Sequence, residues 1–229
     1  MKAKKRWKME NEHIVKILKI NFVTHDIKGF ITEKPENYSF VPGQATDISI
    51  NNDELKDEKR PFTFTSTNDD LVLELTIKRY PKGITEKIHN LSPGDEIIIR
   101  EPFGLINYKG KGTFIAGGAG VTPFIAILRQ LDKEGKIENN KLIFSNKTQK
   151  DILYEKELKE LLKENLILTL TEEKRKDYLN KKINKRFIEG NIKNLEQYFY
   201  ICGPPAFVND IKKILLKSGV KEELIIIEK

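Results

Sequence analysis

Two patterns of apolar residues divide the chain. In the first half, HIVKILKINF, YSFVPGQATDISI, RPFTFTST, LVLELTIKRY and DEIIIREPF are short segments, rich in β-branched and aromatic residues and partly alternating. Turn clusters such as NNDELKDEK, NDD and SPGD separate them. This spacing predicts five or six strands of a small antiparallel barrel, with one short helix at TEKIHNL. In the second half, strand-like GTFIAGG, NKLIFSN, NLILTLT and QYFYICG alternate with helix-like PFIAILRQLDKEG, DILYEKELKELLKEN and PAFVNDIKKILLKSG, and ELIIIEK closes the sequence. Such alternation predicts a parallel sheet flanked by helices. The period changes near GLINYKGK. The expected fold is therefore two-domain, an antiparallel β-barrel over residues 1–106 followed by an α/β parallel-sheet, Rossmann-like domain over residues 107–229.

The segment FIAGGAGVTPFIAILRQL holds the first candidate for chemistry. Phe114, Ile115 and Ala116 read as the end of a buried strand, and Phe124, Ile125, Ile127, Leu128 and Leu131 recur at helical spacing. Between them, Gly117, Gly118 and Gly120 let a ligand approach the main chain closely. Thr122 reads as an N-cap and Pro123 as the first helical residue. A helix start of this kind offers unpaired N–H groups and the positive end of a dipole, which suits a phosphate. A ligand-free strand-to-helix turn has the same local signature, so the rest of the chain must decide.

Composition narrows the choice. A chain of 229 residues with 38% hydrophobic content is long enough for two ordinary cores, which argues against disorder. The net charge of +7 comes from a Lys-rich surface without a compact basic stripe and interleaved aromatics, so nucleic acid is not an expected partner. Cys202 is the single cysteine, which excludes an intrachain disulfide, a thiolate-built zinc site and a cysteine-ligated iron–sulfur cluster within this chain. His13, His25 and His89 lack metal-ligand spacing, and no metal is expected. The basic start MKAKKRWKMENEH has no apolar run, and no stretch approaches the ~18 apolar residues of a membrane span. A soluble, cytoplasmic protein without membrane insertion is the expectation, with Trp7 as a local packing anchor.

Six motifs stand in a fixed order: FVPGQ (40–44), RPFT (60–63), GIT (83–85), PFG (102–104), GGAGVTP (117–123) and CGPP (202–205). In that order the sequence resembles the ferredoxin–NADP reductase superfamily of flavin-dependent reductases, over nearly the whole chain. The resemblance implies that the barrel binds FAD and the α/β domain binds NADH or NADPH. It gives Arg60 the flavin phosphate, for which a guanidinium supplies a fixed fork of donors. Pro61, Phe62 and Thr63 complete the motif. Phe62 stands where the family usually has Tyr, so ring stacking is kept and the phenolic hydrogen bond is lost. Thr63 places a hydroxyl at the reactive edge of the flavin. Ile77, Lys78 and Arg79 would line the ribityl chain and phosphate, and Gly83, Ile84 and Thr85 would receive the pyrophosphate, Thr85 reading as the N-cap of the short helix.

The same resemblance makes GGAGVTP the nicotinamide-nucleotide turn and puts Cys202, with Gly203 and Pro204, beside the nicotinamide. No His or Asn motif of a thiol enzyme accompanies Cys202, so it is assigned shape and polarisability rather than covalent chemistry. Glu228 matches the acid of the family's C-terminal Glu-x-aromatic motif, the aromatic residue being absent here. Thr63, Cys202 and Glu228 are thus the candidate catalytic contacts. Asn146 and Lys147 fall in SNKT, which resembles the corresponding segment of NADH-dependent reductases serving haem proteins. Lys147, Lys150 and Lys174 are the cations available to a 2′-phosphate, and the balance leans slightly to NADH. The implied activity is hydride transfer from NAD(P)H to bound FAD, with electrons passing to a separate acceptor such as a ferredoxin, flavodoxin or oxygenase component, an acidic protein if charge guides the encounter. A free-flavin or ferric reductase, or a non-enzymatic flavin- and nucleotide-binding subunit, are the alternatives.

Overall fold

The computed structural model describes residues 11–104 and 106–227, so Trp7 and Glu228 lie outside the described residues. Strands β1 (His13–Thr24), β2 (Ile27–Glu33), β3 (Ala45–Ile50), β4 (Arg60–Thr63), β5 (Val72–Lys78) and β6 (Glu96–Ile99) form an antiparallel sheet in the order β4-β3-β6-β1-β2-β5. Alternation sets its faces: Val15 and Ile17 of β1 are buried, while Ile14, Lys16 and Leu18 are exposed. The sheet curls until its outer strands touch. Phe64, just beyond β4, bridges Leu75 of β5, and the Thr65 N–H donates to the Glu74 carbonyl at 2.8 Å. Phe30, Ile48, Phe64, Leu73, Leu75 and Ile99 fill the interior. The apolar pattern does not mark β2, because Lys28 and Gly29 interrupt it; pairing along both edges, to β1 and β5, makes it a strand.

Helix α1 (Ile84–His89) follows β5. Its cap is Gly83, and Thr85 lies inside the first turn, which corrects the N-cap expected at Thr85. The Thr85 hydroxyl instead accepts from the Tyr80 N–H at 2.9 Å and closes the preceding loop on itself.

Strands β7 (Gly112–Gly117), β8 (Lys141–Asn146), β9 (Leu166–Leu170), β10 (Tyr198–Cys202) and β11 (Ile225–Ile227) form a parallel sheet in the order β11-β10-β7-β8-β9. All six residues of β7 are buried, as expected of a central strand covered on both faces. Helices α2 (Thr122–Lys133) and α3 (Glu155–Leu162) flank one core around Phe114, Phe124, Leu128, Phe144 and Leu158. Helices α4 (Lys185–Asn191) and α5 (Pro205–Lys217) flank another around Ile115, Ile143, Phe199, Ile201 and Leu215. The segment 151–165 is less helical than its pattern predicts. A 3₁₀ turn at Gln149–Asp151 and a left-handed Tyr154 delay α3 until Glu155. The pattern does not mark α4, which the Asn184 side chain caps by accepting from the Phe187 N–H.

Between the sheets, Tyr200 pins the connection. Its fully buried ring stacks on Phe114. Its hydroxyl accepts from the N–H groups of Lys109 and Gly110 at 2.9 and 3.0 Å and donates to the Gly110 carbonyl at 2.7 Å. The two units also pack directly, since Ile27 of the barrel belongs to the core that α2 and α3 cover. From α2, Lys133 reaches Thr67 Oγ1 and Asp70 Oδ1, both at 2.7 Å. Among the described residues no helix is long and apolar enough to cross a membrane.

Candidate functional site

The order of the parallel sheet fixes where a ligand can lie. From β7 the chain builds outward on one side through β8 and β9, then returns to build β10 and β11 on the other. The crevice beyond the carboxyl ends of β7 and β10 is thus a topological switch point, the usual ligand position in open α/β sheets. A cleft of about 800 Å³ opens there, lined by Gly117, Gly118, Gly120, Asn146, Gly203 and Phe207 among others. Gly118 has a φ of +53°, and a Cβ on it would meet open space. A Cβ on Gly120 would lie 2.5 Å from both the N and Cα of Gly203, so the turns after β7 and β10 meet backbone to backbone.

The helix start differs in detail from the sequence reading. A 3₁₀ turn, Gly118–Val121, precedes α2, and Thr122 is already helical at φ −54° and ψ −45°. Its hydroxyl donates to the Ala119 carbonyl at 3.1 Å, and Val121 occupies the cap position. Thr122 is therefore no N-cap, and Pro123 is the second helical residue; both are buried outside the cleft lining. The glycine turn itself presents main chain to the cleft.

Asn146, at the end of β8, is the clearest sign of a polar ligand. It is 4% exposed and lines the cleft, yet neither its Oδ1 nor its Nδ2 has a hydrogen-bond partner. A buried amide left unsatisfied costs about 1–3 kcal/mol, which a ligand's polar edge would recover. The neighbouring Lys147 is not a free cation: its Nζ lies 3.1 Å from Glu172, another cleft residue.

The barrel forms the facing wall through Ile27, Lys78 and Tyr80. Lys78 Nζ is 2.9 Å from Asp26. Burial opposes ionisation of Asp26, but Lys78 prevails and holds the carboxyl below its usual range. Lys78 thus carries its own counter-ion, which weakens its expected role as a phosphate contact.

The remaining barrel candidates gather between β4 and β5. These strands touch at Phe64–Leu75, and no ladder bonds link them farther toward Arg60 among the described residues. Phe62 and Arg60 lie two and four residues before Phe64, and Ile77 and Arg79 two and four residues after Leu75. Phe62 is half-buried against the barrel core, while the two arginines are exposed. Neither forms a carboxylate ion pair among the described residues; Arg60 Nη1 only donates to the Lys59 carbonyl at 2.7 Å. An open strand edge with an aromatic ring and a hydroxyl, Thr63, and two uncompensated guanidiniums at its mouth fits a planar ring system bearing phosphates. The residues therefore fit a flavin nucleotide. Gly83, Ile84 and Thr85 open α1 five residues after β5, with Ile84 and Thr85 turned into the fold.

Of the candidates, the cleft collects Lys78, Gly117, Gly118, Gly120, Asn146, Lys147, Gly203 and Pro204. Arg60, Pro61, Phe62, Thr63, Ile77 and Arg79 belong to the β4–β5 edge, which is a separate lining. Cys202 ends β10 beside Ala116 and packs partly into the core, just behind the cleft. Phe207, Glu172, Lys182 and Tyr80 also line the cleft, outside the residues that the motifs mark. Phe207 had a signal, since it lies on the α5 turn that follows CGPP; its ring covers Gly117 and Gly203.

Comparison with known proteins matches each half of the chain to a domain family. Residues 14–108 match the oxidoreductase FAD-binding domain and residues 114–213 the oxidoreductase NAD-binding domain. NADH-cytochrome b5 reductase 2 of Mycosarcoma maydis is 29% identical, over 87% of this chain and 64% of its own length. The reductase component of propane 2-monooxygenase from Rhodococcus jostii is 27% identical, over 86% of this chain and 57% of its own. The chain thus spans about three-fifths of the length of these relatives. Among solved structures, a ferredoxin NADP+ reductase from Neisseria gonorrhoeae with bound FAD and NADP superposes with a TM-score of 0.84 at 20% identity, covering 95% of this chain and 97% of that one.

Proposed function

Because the chain belongs to the ferredoxin–NADP reductase superfamily, whose members join an FAD-binding to an NAD-binding domain, we propose that it oxidises a reduced nicotinamide nucleotide and delivers the electrons to a separate acceptor. One observation carries the proposal. The cleft at the switch point of the parallel sheet is walled on its far side by barrel residues Ile27, Lys78 and Tyr80, so a nucleotide there faces the flavin domain. A bound flavin supplies the chemistry of accepting a hydride and releasing electrons singly or in pairs. The chain's own residues supply position. Arg60 and Arg79 would hold the flavin phosphates, and Phe62 and Thr63 would lie along its ring. The main chain of Gly117–Gly118 and Gly120 would admit the pyrophosphate, and Asn146 would complete its hydrogen bonds on the nucleotide. Cys202, behind the cleft floor, would limit how deep the nicotinamide sits. Holding reactive groups at contact distance and excluding water is how such a site accelerates transfer.

NADH is the proposed donor. Glu172 neutralises Lys147, one of the cations available to a 2′-phosphate, and would bring a like charge toward that phosphate. A protein acceptor is favoured over a free flavin or ferric ion. The relatives include proteins named as reductase components of oxygenases, and a net charge of +7 would steer an acidic carrier. Anaerobic mixing of the flavin-loaded protein with NADH tests the reading. Flavin absorbance should bleach within seconds and return on adding an acidic ferredoxin, the return slowing with salt. A flavin that neither NADH nor NADPH bleaches would overturn the enzyme reading.

A further inference from the structure

Tyr154 stands out beyond the residues assigned above. It is a bulky residue in the left-handed region, at φ 51° and ψ 33°, where residues with a Cβ are uncommon. Such conformations persist where surrounding contacts over-determine them, and they cluster at functional sites. Here the partners of its hydroxyl lie in the other domain. The Tyr154 hydroxyl donates to Glu74 Oε1 at 3.0 Å and lies 2.6 Å from Thr76 Oγ1, which is therefore the donor to it. Thr76 Oγ1 in turn lies 3.1 Å from the Thr65 hydroxyl. The Arg129 guanidinium sits over the Tyr154 ring, 5.0 Å from its centroid, and pairs with Glu74 and Glu157. Burial first, and Glu74 second, raise the affinity of the phenol for its proton, in keeping with its role as donor.

The two segments that meet at this hydroxyl also build facing walls of the nucleotide cleft. Lys147, Asp151 and Leu153, which lead into Tyr154, line one wall; Lys78, two residues beyond Thr76, lines the other. Arg129 and Lys133 cross the junction as well, but they project from α2, outside the cleft lining. Tyr154 instead terminates the lining loop. We propose that Tyr154 is a positioning residue that, by bonding Thr76 and Glu74, fixes loop 147–153 against β5 and so sets how the nucleotide meets the flavin. The proposal rests on the reductase reading above and extends it to the geometry between the two binding sites.

The test uses the full chain with Tyr154→Phe, Thr76→Val and both together. Tyr154→Phe keeps the ring under Arg129, and Thr76→Val keeps the shape of the strand, so both should fold. In flavin-loaded protein, both should reduce their flavin at least tenfold more slowly at saturating NADH, with nucleotide affinity within threefold of the parent. The change in the visible flavin spectrum on adding NAD+, which reports ring placement without turnover, should shrink in parallel. In flavin-free protein, amides of residues 147–153 should exchange with deuterium at least tenfold faster, while those of β7 keep their protection. The double variant should lose less than the sum of the two single losses, because both remove the Thr76–Tyr154 bond. An unchanged reduction rate with an unchanged NAD+ difference spectrum overturns the proposal, as does additive loss in the double variant. If NADH fails to reduce even the parent flavin, the reductase reading falls, and the exchange of loop 147–153 then decides alone whether Tyr154 holds that loop.

Discussion

Arg129 Nη1, on the first helix of the nucleotide domain, donates a 2.8 Å hydrogen bond to the main-chain carbonyl of Thr65 in the barrel. The same guanidinium pairs with Glu157 at 2.6 and 2.9 Å and with Glu74 across the junction. Its side chain is 21% exposed, so the group is largely but not wholly withdrawn from water. Arg129→Met would leave two carboxylates and a carbonyl without their shared donor. Removing one partner of a fully buried pair costs about 3–5 kcal/mol, and the residual exposure brings the expected loss to about 2–3 kcal/mol. For a chain of this size that lowers the melting temperature by roughly 5–10 °C. Scanning calorimetry measures it, and a shift under 2 °C would show that the network contributes little.

At the cleft, Gly120→Ala should act on nucleotide binding and spare the flavin. The added methyl would sit 2.5 Å from Gly203 Cα, a contact with backbone that a rotamer change cannot relieve. The two turns must part, at a cost of about 1–3 kcal/mol for overpacking. NAD+ affinity, by calorimetric titration, is expected to fall about tenfold or more, with flavin content unchanged. Affinity equal to the parent would mean that the tight apposition of the turns is not needed.

Arg60→Ala should yield folded protein that purifies with little flavin. Charge-assisted hydrogen bonds to a phosphate contribute about 1.5–3 kcal/mol, or about ten- to a hundredfold in affinity. The ratio of visible to ultraviolet absorbance after gel filtration reads the outcome directly. Full occupancy would remove Arg60 from the flavin site.

Nucleotide preference is expected to follow Glu172. Its carboxylate lies 3.1 Å from Lys147 on an exposed rim, and Glu172→Ser would free that ammonium while removing a negative charge. A single ionic contact at such a distance in water amounts to about 1 kcal/mol, so the NADPH-to-NADH ratio of kcat/KM should rise about fivefold, less at high salt. A ratio that does not move would place the 2′ position of the ribose elsewhere.

His89 gives the fold a pH dependence. Its buried ring lies 2.8 Å from the Ile77 carbonyl, and Lys28 and Arg79 lie nearby. Burial is the main cause that lowers its proton affinity below the ordinary value, and the two cations add to it. The unfolded chain therefore binds a proton more readily than the folded one. Stability should be full above about pH 6.5, the unfolded value, and decline as pH falls below it toward the folded value. Urea unfolding at pH 7.5 and 5.5 should show the loss, and His89→Gln, which keeps a donor for Ile77, should flatten it. A slope identical in the variant would assign the effect to other groups.

Much of this molecule can be read from local pattern, because its signals are local. β7 and β8 carry short apolar runs, Phe114–Ala116 and Leu142–Phe144, and become the covered centre of the parallel sheet; α2 and α5 carry helical apolar spacing and become its flanks. The glycine turn and CGPP announce the cleft, since close backbone approach requires residues without side chains at fixed positions. What local pattern misses depends on distant partners. β2 exists through pairing on both edges. Thr85 and Thr122 have the chemistry of caps, but each hydroxyl finds a main-chain partner three to five residues back and enters the helix instead. The motif marks Asn146, whereas the unsatisfied amide that makes it informative appears only once β8 is buried. Tyr154 and Arg129 look like ordinary helix-face residues until Glu74 and Thr76, some 55–80 positions away, are brought beside them.

The clamp that Tyr200 places on the interdomain connection has a consequence for biosynthesis. Its three hydrogen bonds span 90 or 91 positions in the chain, so residues 109 and 110 are made long before the hydroxyl that holds them. At typical rates of translation the interval is on the order of 5–20 s. The barrel strands all end by Ile99, and the barrel can close during that interval on a ribosome still producing the second domain. Until β10 inserts beside β7, Lys109 and Gly110 lack the bonds that Tyr200 supplies. A nascent chain arrested before residue 198 should therefore carry a protease-resistant barrel on a cleavable tether, and one arrested after β10 clears the ribosomal tunnel should lose that cleavage.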